Sequence, residues 1–432
     1  MAITVYPPYG SSNDNPIWVT FDGTNTDAFG RLRVSNPVTL FDSQARFAAD
    51  NAYSYVTATG GTTSYNTNQS SVNLNVTTTS GSTAVAQTYR VFPYQPGKGL
   101  LTLQTFTMAA AASNLRQRIG YFSAYNGVYL EQGPNGVTFV IRTYTSGSVD
   151  DSRYVAQANW NGDKLNGTGP SGLTLDLTKT QILWMDFEWL GVGNVRCGFV
   201  INGQYVVCHT FQNANQSTST KVYMQTAILP LRYEIATTGA TAGAATMQMI
   251  CSSVVSEGGY EQTSQPYTAR TGGNGITIAN NTGLTFTPIL SIRVASSYYG
   301  AIIIPASILF QPTSSGSTGY EVALIKNATL TGATWAAGPI SSSQVDLDTA
   351  ATACTATADN IVQTSFANQS AQGVTTAVVP TGYNFELQIG YTASLTGNGF
   401  ASSDTYTLAA RGLNNSPVGS GTGAISFYNL TV

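Results

Sequence analysis

The chain has 432 residues, enough for two or three domains, each with its own core. Only 9 % of its residues are charged, against roughly 25 % in ordinary soluble proteins, and the formal net charge is −3 from 18 basic and 21 acidic residues. The five lysines, at 98, 164, 179, 221 and 326, are scattered, so no basic patch exists to neutralise a phosphate backbone and a nucleic-acid partner is excluded.

Disorder is not implied by the low charge. Tyr, Phe, Trp, Val and Ile recur throughout, and these residues fit pleated sheets rather than solvated coil, so the expected class is all-β. The start, MAITVYPPYG, carries neither a charged n-region nor an apolar h-region, so no secretory signal is expected. The longest apolar run, residues 300–310, is too short to cross a bilayer and contains Pro305, so no membrane partner is expected either. Four cysteines in so long a chain make no disulfide framework, which fits folding in a reducing cytoplasm.

In chain order, residues 1–43 combine Tyr6-Pro7-Pro8-Tyr9 with Asn, Asp and Gly and little periodicity, which predicts an extended N-terminal arm. Residues 44–260 predict a large antiparallel β-sandwich of jelly-roll or lectin-like type. Within it, Gly120 to Tyr125, Val128 to Gln132 and Val137 to Tyr144 read as a meander turned at Asn126-Gly127 and Asn135-Gly136. The run TMAAAAS at 107–113 predicts one helical turn. The run QILWMDFEWL places Leu183, Met185, Phe187 and Trp189 on one strand face and Asp186 with Glu188 on the other. It leads into CGFVINGQYVVCH at 197–209, where Asn202-Gly203 predicts a two-residue hairpin turn. Straight pairing from that turn sets Cys197 opposite Cys208 and sends His209 to the other face. Two buried thiols lining a core are then expected instead of a Cys/Cys/His metal site.

Residues 261–284, rich in Gly, Ser and Thr, lose the alternation and predict a linker. Residues 285–432 predict a second, smaller β-sandwich. No repeat of about 20 to 50 residues is apparent, which argues against a β-helix.

Few residues form a reactive constellation. G-x-S-x-G is absent and there is one histidine, which leaves little scope for a Ser/His/Asp triad. The glycines of Gly419-Ser-Gly-Thr-Gly423 have no following helix and read as turn glycines, not a phosphate cradle. Asp186 and Glu188 form the best carboxylate pair, about 7 Å apart along a strand, a spacing usable in glycoside hydrolysis, with a solvated strand face as the favoured reading. Asp150-Asp151 and Asp22 to Asp27 offer oxygens without a calcium-loop spacing, so no catalytic residue, cofactor or metal is assigned. Aromatics such as Trp18, Trp160 and several tyrosines are suited to stack on sugars or to pack against neighbouring subunits, with subunit packing favoured.

The segment TDAFGRLRVSNPVTLFDSQ at 26–44 resembles an N-terminal motif, DAFGRLRVS followed by TLFDSQ, of virion structural proteins of tailed bacteriophages, marine and cyanobacterial phages among them. DFEWLGVGNVRCGFVING at 186–203, AILPLRYEI at 227–235 and SIRVASSYYGAIIIPASI at 291–308 are similar to the same group. The resemblance implies a particle component exposed on the capsid or tail, as decoration, fibre or tail appendage, and brings no catalytic residues with it.

Phe29, Leu32, Val34, Leu40 and Phe41 of the arm cannot form a core alone and are expected to bury on another subunit or on the chain's own sandwich. Arg31 and Arg33 are candidates to pair with carboxylates of a neighbour. The expectation is a non-enzymatic virion protein, assembled in the host cytoplasm and exposed on the particle, with other virion proteins as partners and a trimer as the expected homo-oligomer. The alternatives are a host-attachment module binding surface glycan and, behind it, a depolymerase using Asp186 and Glu188.

Overall fold

The computed structural model describes residues 4–5, 19–20, 36–216, 220–261, 264–273, 275–313, 319–338, 343–368, 375–378, 387–395, 400–413 and 419–431. Phe29, Arg31, Leu32, Arg33 and Val34, like Trp18 and the segment 22–27, lie outside the described residues.

The chain is all-β, built as two antiparallel sandwiches. In the first, a 7-stranded sheet runs in the order Asp150–Ala156, Gly136–Thr143, Gly127–Gly133, Leu115–Phe122, Leu231–Thr237, Thr83–Thr88, Tyr53–Ala58. It faces an 8-stranded sheet in the order Gln204–Phe211, Val195–Ile201, Gln181–Phe187, Leu100–Thr107, Ala245–Ser256, Ser71–Val76, Thr62–Asn66, with Val38–Gln44 also paired to Ala245–Ser256. Alternation explains the shared core: Ile119, Tyr121, Leu130 and Phe139 point inward from one sheet, Leu183, Met185, Phe187 and Cys197 from the other.

The second sandwich sets Gln265–Arg270, Gly419–Asn429, Ile303–Pro312 and Thr375–Val378 in one sheet against a sheet that includes Thr285–Val294, Thr405–Gly412, Gly319–Lys326 and Ile361–Asn368. Tyr267, Ile308, Phe310, Ile425 and Phe427 meet Leu290, Ile292, Leu324 and Leu408 in its core.

Several sequence expectations are corrected. The first sandwich begins earlier than residue 44, because Val38–Gln44 is a strand of its sheet. A register shift between Val254 and Val255 lets the adjacent Leu40 and Phe41 both turn inward. Phe41 then packs on Phe92 at 5.2 Å between ring centroids. These two residues therefore serve the chain's own core and are not free for docking.

The expected linker contains Gln265–Arg270 and Ile276–Ile278, both paired with Gly419–Asn429. Pro266 is tolerated there because Gln265–Arg270 is an outer strand, while Tyr267 and Ala269 still reach the core. Gly419 to Gly423 are strand residues, not turn glycines. A Cβ at Gly421 would lie 2.4 Å from Phe310 Cε2 and one at Gly423 2.6 Å from Leu408 Cδ2, so these glycines make room for the core.

Residues 108–112 form no helix. The Gln117 side chain accepts from the Ala109 N–H at 2.8 Å and donates to the Ala109 carbonyl at 3.0 Å, giving the extended segment the hydrogen bonds a helix would have supplied. Asn202-Gly203 forms the expected turn, with φ of 52° and 74° and Ile201 paired to Gln204. The two other predicted turns, at Asn126-Gly127 and Asn135-Gly136, do not form as expected. Gly133 pairs with Gly136 around Pro134-Asn135, and Gly127 pairs with Phe122 across a four-residue loop that ends at Asn126.

The two sandwiches are in direct contact. The Tyr391 N–H donates to the Tyr89 carbonyl at 2.7 Å, and Val91 and Ile228 of the first sandwich pack into the core of the second.

Candidate functional site

At this junction lies an open groove of about 540 Å³. One wall comes from the loops of the first sandwich that carry Tyr125, Asn126, Tyr144 and Gln225; the other is the short 3-10 turn Ser296–Tyr298 with Tyr299, backed by Gln344.

Asn126 explains the shape of the first wall. Its buried side chain accepts from the backbone N–H groups of Tyr144 at 3.2 Å and Gln225 at 3.1 Å, tying three loops together. The Tyr125 and Tyr144 rings consequently lie 4.5 Å apart at an interplanar angle of 42°. On the second wall, the Ala301 N–H closes the turn on the Tyr298 carbonyl at 2.9 Å. Gly300 bends the chain with φ +94°, and a Cβ there would meet nothing within 4 Å, so that position opens on free space. Tyr298 and Tyr299 stay 42 % and 40 % exposed. Among the described lining residues no Asp, Glu, Lys or Arg appears. The groove can therefore offer tyrosine faces with amides and hydroxyls, and no formal charge.

The sequence-derived candidates lie elsewhere. Asp186 is buried and ion-paired with Arg196, whereas Glu188 is exposed beyond the strand end, so the pair is neither a solvated face nor a matched dyad. Burial, followed by the charge of Asp186, pushes the carboxyl of neighbouring Glu257 above its usual range. Asp151 is held by Arg142 through two 2.8 Å hydrogen bonds. Burial opposes its ionisation, but those bonds outweigh it and the carboxyl stays below its ordinary value. Trp160 is a core residue, with its ring 4.7 Å from Phe139.

The Cys197–His209 hairpin departs from straight pairing. A register shift follows Cys197, which pairs with His209, while Gly198 pairs with Val207 and Cys208 becomes the extra residue. Both thiols are free and buried, with their pKa values raised chiefly by burial. His209 is buried too; its Nδ1 accepts from the Asn161 N–H at 3.3 Å, and burial followed by the Arg153 charge lowers its pKa to about 4. It is a neutral packed imidazole at physiological pH.

A second charged feature escaped the sequence reading. On the outer face of the 7-stranded sheet, Arg116, Arg118 and Arg232 converge on Glu234, with Arg232 Nη2 2.8 Å and Arg118 Nη1 3.6 Å from its carboxylate. Arg118 also meets Glu131 at 2.6 Å. The period-2 spacing of Arg116 with Arg118 and of Arg232 with Glu234 was the available signal.

No protein-family model and no curated protein matches the sequence. Among solved structures, the chain is similar to the carbohydrate recognition domain of Emp47p at 9 % identity, over 55 % of this chain and 99 % of that one, with a TM-score of 0.30. A seed lectin of Lotus tetragonolobus shows 11 % identity over 52 % and 100 %, with a TM-score of 0.31. A Bacillus licheniformis β-glucanase shows 11 % identity over 50 % and 96 %, with a TM-score of 0.33.

Proposed function

We propose that this chain is a non-enzymatic structural component of a tailed-phage particle, exposed on its capsid or tail and held there through the segment that precedes its first sandwich. The observation that carries the reading is how the motif DAFGRLRVS…TLFDSQ divides. Its second half is built into the sheet as Val38–Gln44 with Leu40 and Phe41 buried, so whatever residues 27–35 grip is connected directly to a rigid sandwich. Phe29, Arg31, Leu32, Arg33 and Val34 are the proposed docking residues. The non-enzymatic part is supported by how four candidate groups are engaged: Asp186 is ion-paired with Arg196, His209 is buried and neutral, and the Cys197 and Cys208 thiols are buried.

The test is incorporation. A chain lacking residues 1–35 keeps every described strand of both sandwiches, so it should fold with the full-length melting profile yet be missing from purified particles. Incorporation at the full-length level would refute the anchoring role.

One observation favours a second role, attachment to host-surface glycan: the uncharged tyrosine groove between the sandwiches. A host-cell adsorption assay with the purified chain tests it.

A further inference from the structure

We propose that the junction groove binds an uncharged oligosaccharide, with Tyr298 and Tyr299 as the stacking platform and the amides of Gln225 and Gln344 on the opposing edges. The inference rests on the attachment reading and specifies the ligand class for it.

The lining chemistry selects that class. A charged ligand entering the groove would lose water without meeting a counter-charge, because the described lining carries none. The Ser123 and Thr431 hydroxyls are already bonded within the chain, to Asn126 and to Gln344, but a purely apolar ligand would strand the amide N–H groups of Gln225 and Gln344 and the Ser297 hydroxyl. A neutral sugar satisfies both conditions: its C–H face lies on a tyrosine ring while its hydroxyls exchange hydrogen bonds with amides. The volume of 540 Å³ falls inside the roughly 300–1,000 Å³ span of small-molecule sites.

Tyr299 is also braced before binding. The Tyr299 ring stands edge-on to Tyr391 at 6.1 Å, and the Tyr391 hydroxyl donates to the Ala301 carbonyl at 2.5 Å. Asn126 fixes the facing wall in the same way. A preformed aromatic surface loses little conformational entropy on binding, which a weakly interacting sugar requires.

The experiment uses the full-length chain on an array of neutral and anionic oligosaccharides, followed by calorimetric titration of any ligand bound. Neutral glycans should bind. The double variant Tyr298→Ala, Tyr299→Ala should weaken binding about tenfold or more. Ser297→Glu, an exposed change that adds charge beside the platform, should weaken it as well, and unaltered melting curves will show that both variants fold. Tyr205→Ala, at an exposed tyrosine of the distant Asn202-Gly203 hairpin, should leave affinity unchanged. Glycan binding that survives both groove changes overturns the groove assignment while leaving the attachment reading intact. A wild-type chain that binds no glycan overturns both, and one that binds only anionic glycans overturns the ligand class.

Discussion

The ring of Tyr299 stands edge-on to that of Tyr391, centroids 6.1 Å apart and planes at 71°, and Tyr391 is also the residue whose backbone N–H reaches Tyr89 of the first sandwich. One buried tyrosine thus supports the groove wall and holds the two sandwiches together. Its hydroxyl is bonded to the Ala301 carbonyl, so Tyr391→Phe leaves that buried acceptor without its donor. We expect a loss of about 1–2 kcal/mol, read as a lower denaturant midpoint for the second sandwich. An unchanged midpoint would mean that the ring alone holds the loop.

Glu234 is the shared partner of Arg116, Arg118 and Arg232. Burial opposes its ionisation, yet the charges of Arg232, Arg118 and Arg116 outweigh that penalty and hold its carboxyl far below the ordinary range. Glu234→Gln removes the compensating charge from a buried cluster of guanidinium groups. The expected cost is about 3–5 kcal/mol, measured by equilibrium denaturation at neutral pH. The sign with pH follows from the depressed folded value: the contribution is present above the unfolded pKa of about 4.3 and is lost as acid drives the pH down toward the folded value. The variant should therefore lose its deficit against wild type in strong acid.

Gly198 faces the neighbouring hairpin strand with no room for a side chain. A Cβ there would lie 1.9 Å from the Val206 carbonyl oxygen and 2.9 Å from Trp184 Nε1. Gly198→Ala must push the strand Gln204–Phe211 away beside the irregularity at Cys208. A destabilisation of about 1–3 kcal/mol is expected, with a change in tryptophan fluorescence from Trp184.

Much of the architecture could be read from period-2 alternation. Leu183, Met185 and Phe187 point inward as the pattern requires, and Asn202-Gly203 turns as its positive φ preference demands. The failures have identifiable physical causes. Straight pairing of Cys197 with Cys208 ignored Gly198, since a glycine inside a strand is itself a sign of a bulge or close backbone approach. Asn126 looked like a turn residue, but its side chain spends its hydrogen-bonding capacity on Tyr144 and Gln225, and the latter is 99 residues away. The groove was invisible for the same reason: Asn126, Gln225, Tyr298 and Gln344 converge only once two sandwiches have docked. The local trace of it was Tyr298-Tyr299-Gly300, adjacent tyrosines that break the alternation of the strands on either side.

His209 makes stability sensitive to mild acid. Its folded pKa of about 4 lies below the ordinary value of 6.5, through burial first and the Arg153 charge second. The unfolded chain therefore takes up a proton at a higher pH than the folded one. The neutral ring's contribution is complete above about 6.5 and declines as the pH falls from there toward 4. Between pH 7 and 5 the melting temperature of wild type should fall more than that of His209→Gln. Parallel curves for the two would show that the imidazole is solvated.

The central claim is that these sandwiches are held on a phage particle by the segment running into Val38–Gln44. Cryo-electron microscopy of purified particles tests it most directly. The account predicts density for both sandwiches on the capsid or tail, connected through residues 27–37 to a neighbouring virion subunit. Particles that lack the chain, or that hold it by a sandwich surface with residues 27–37 touching no other subunit, would contradict it.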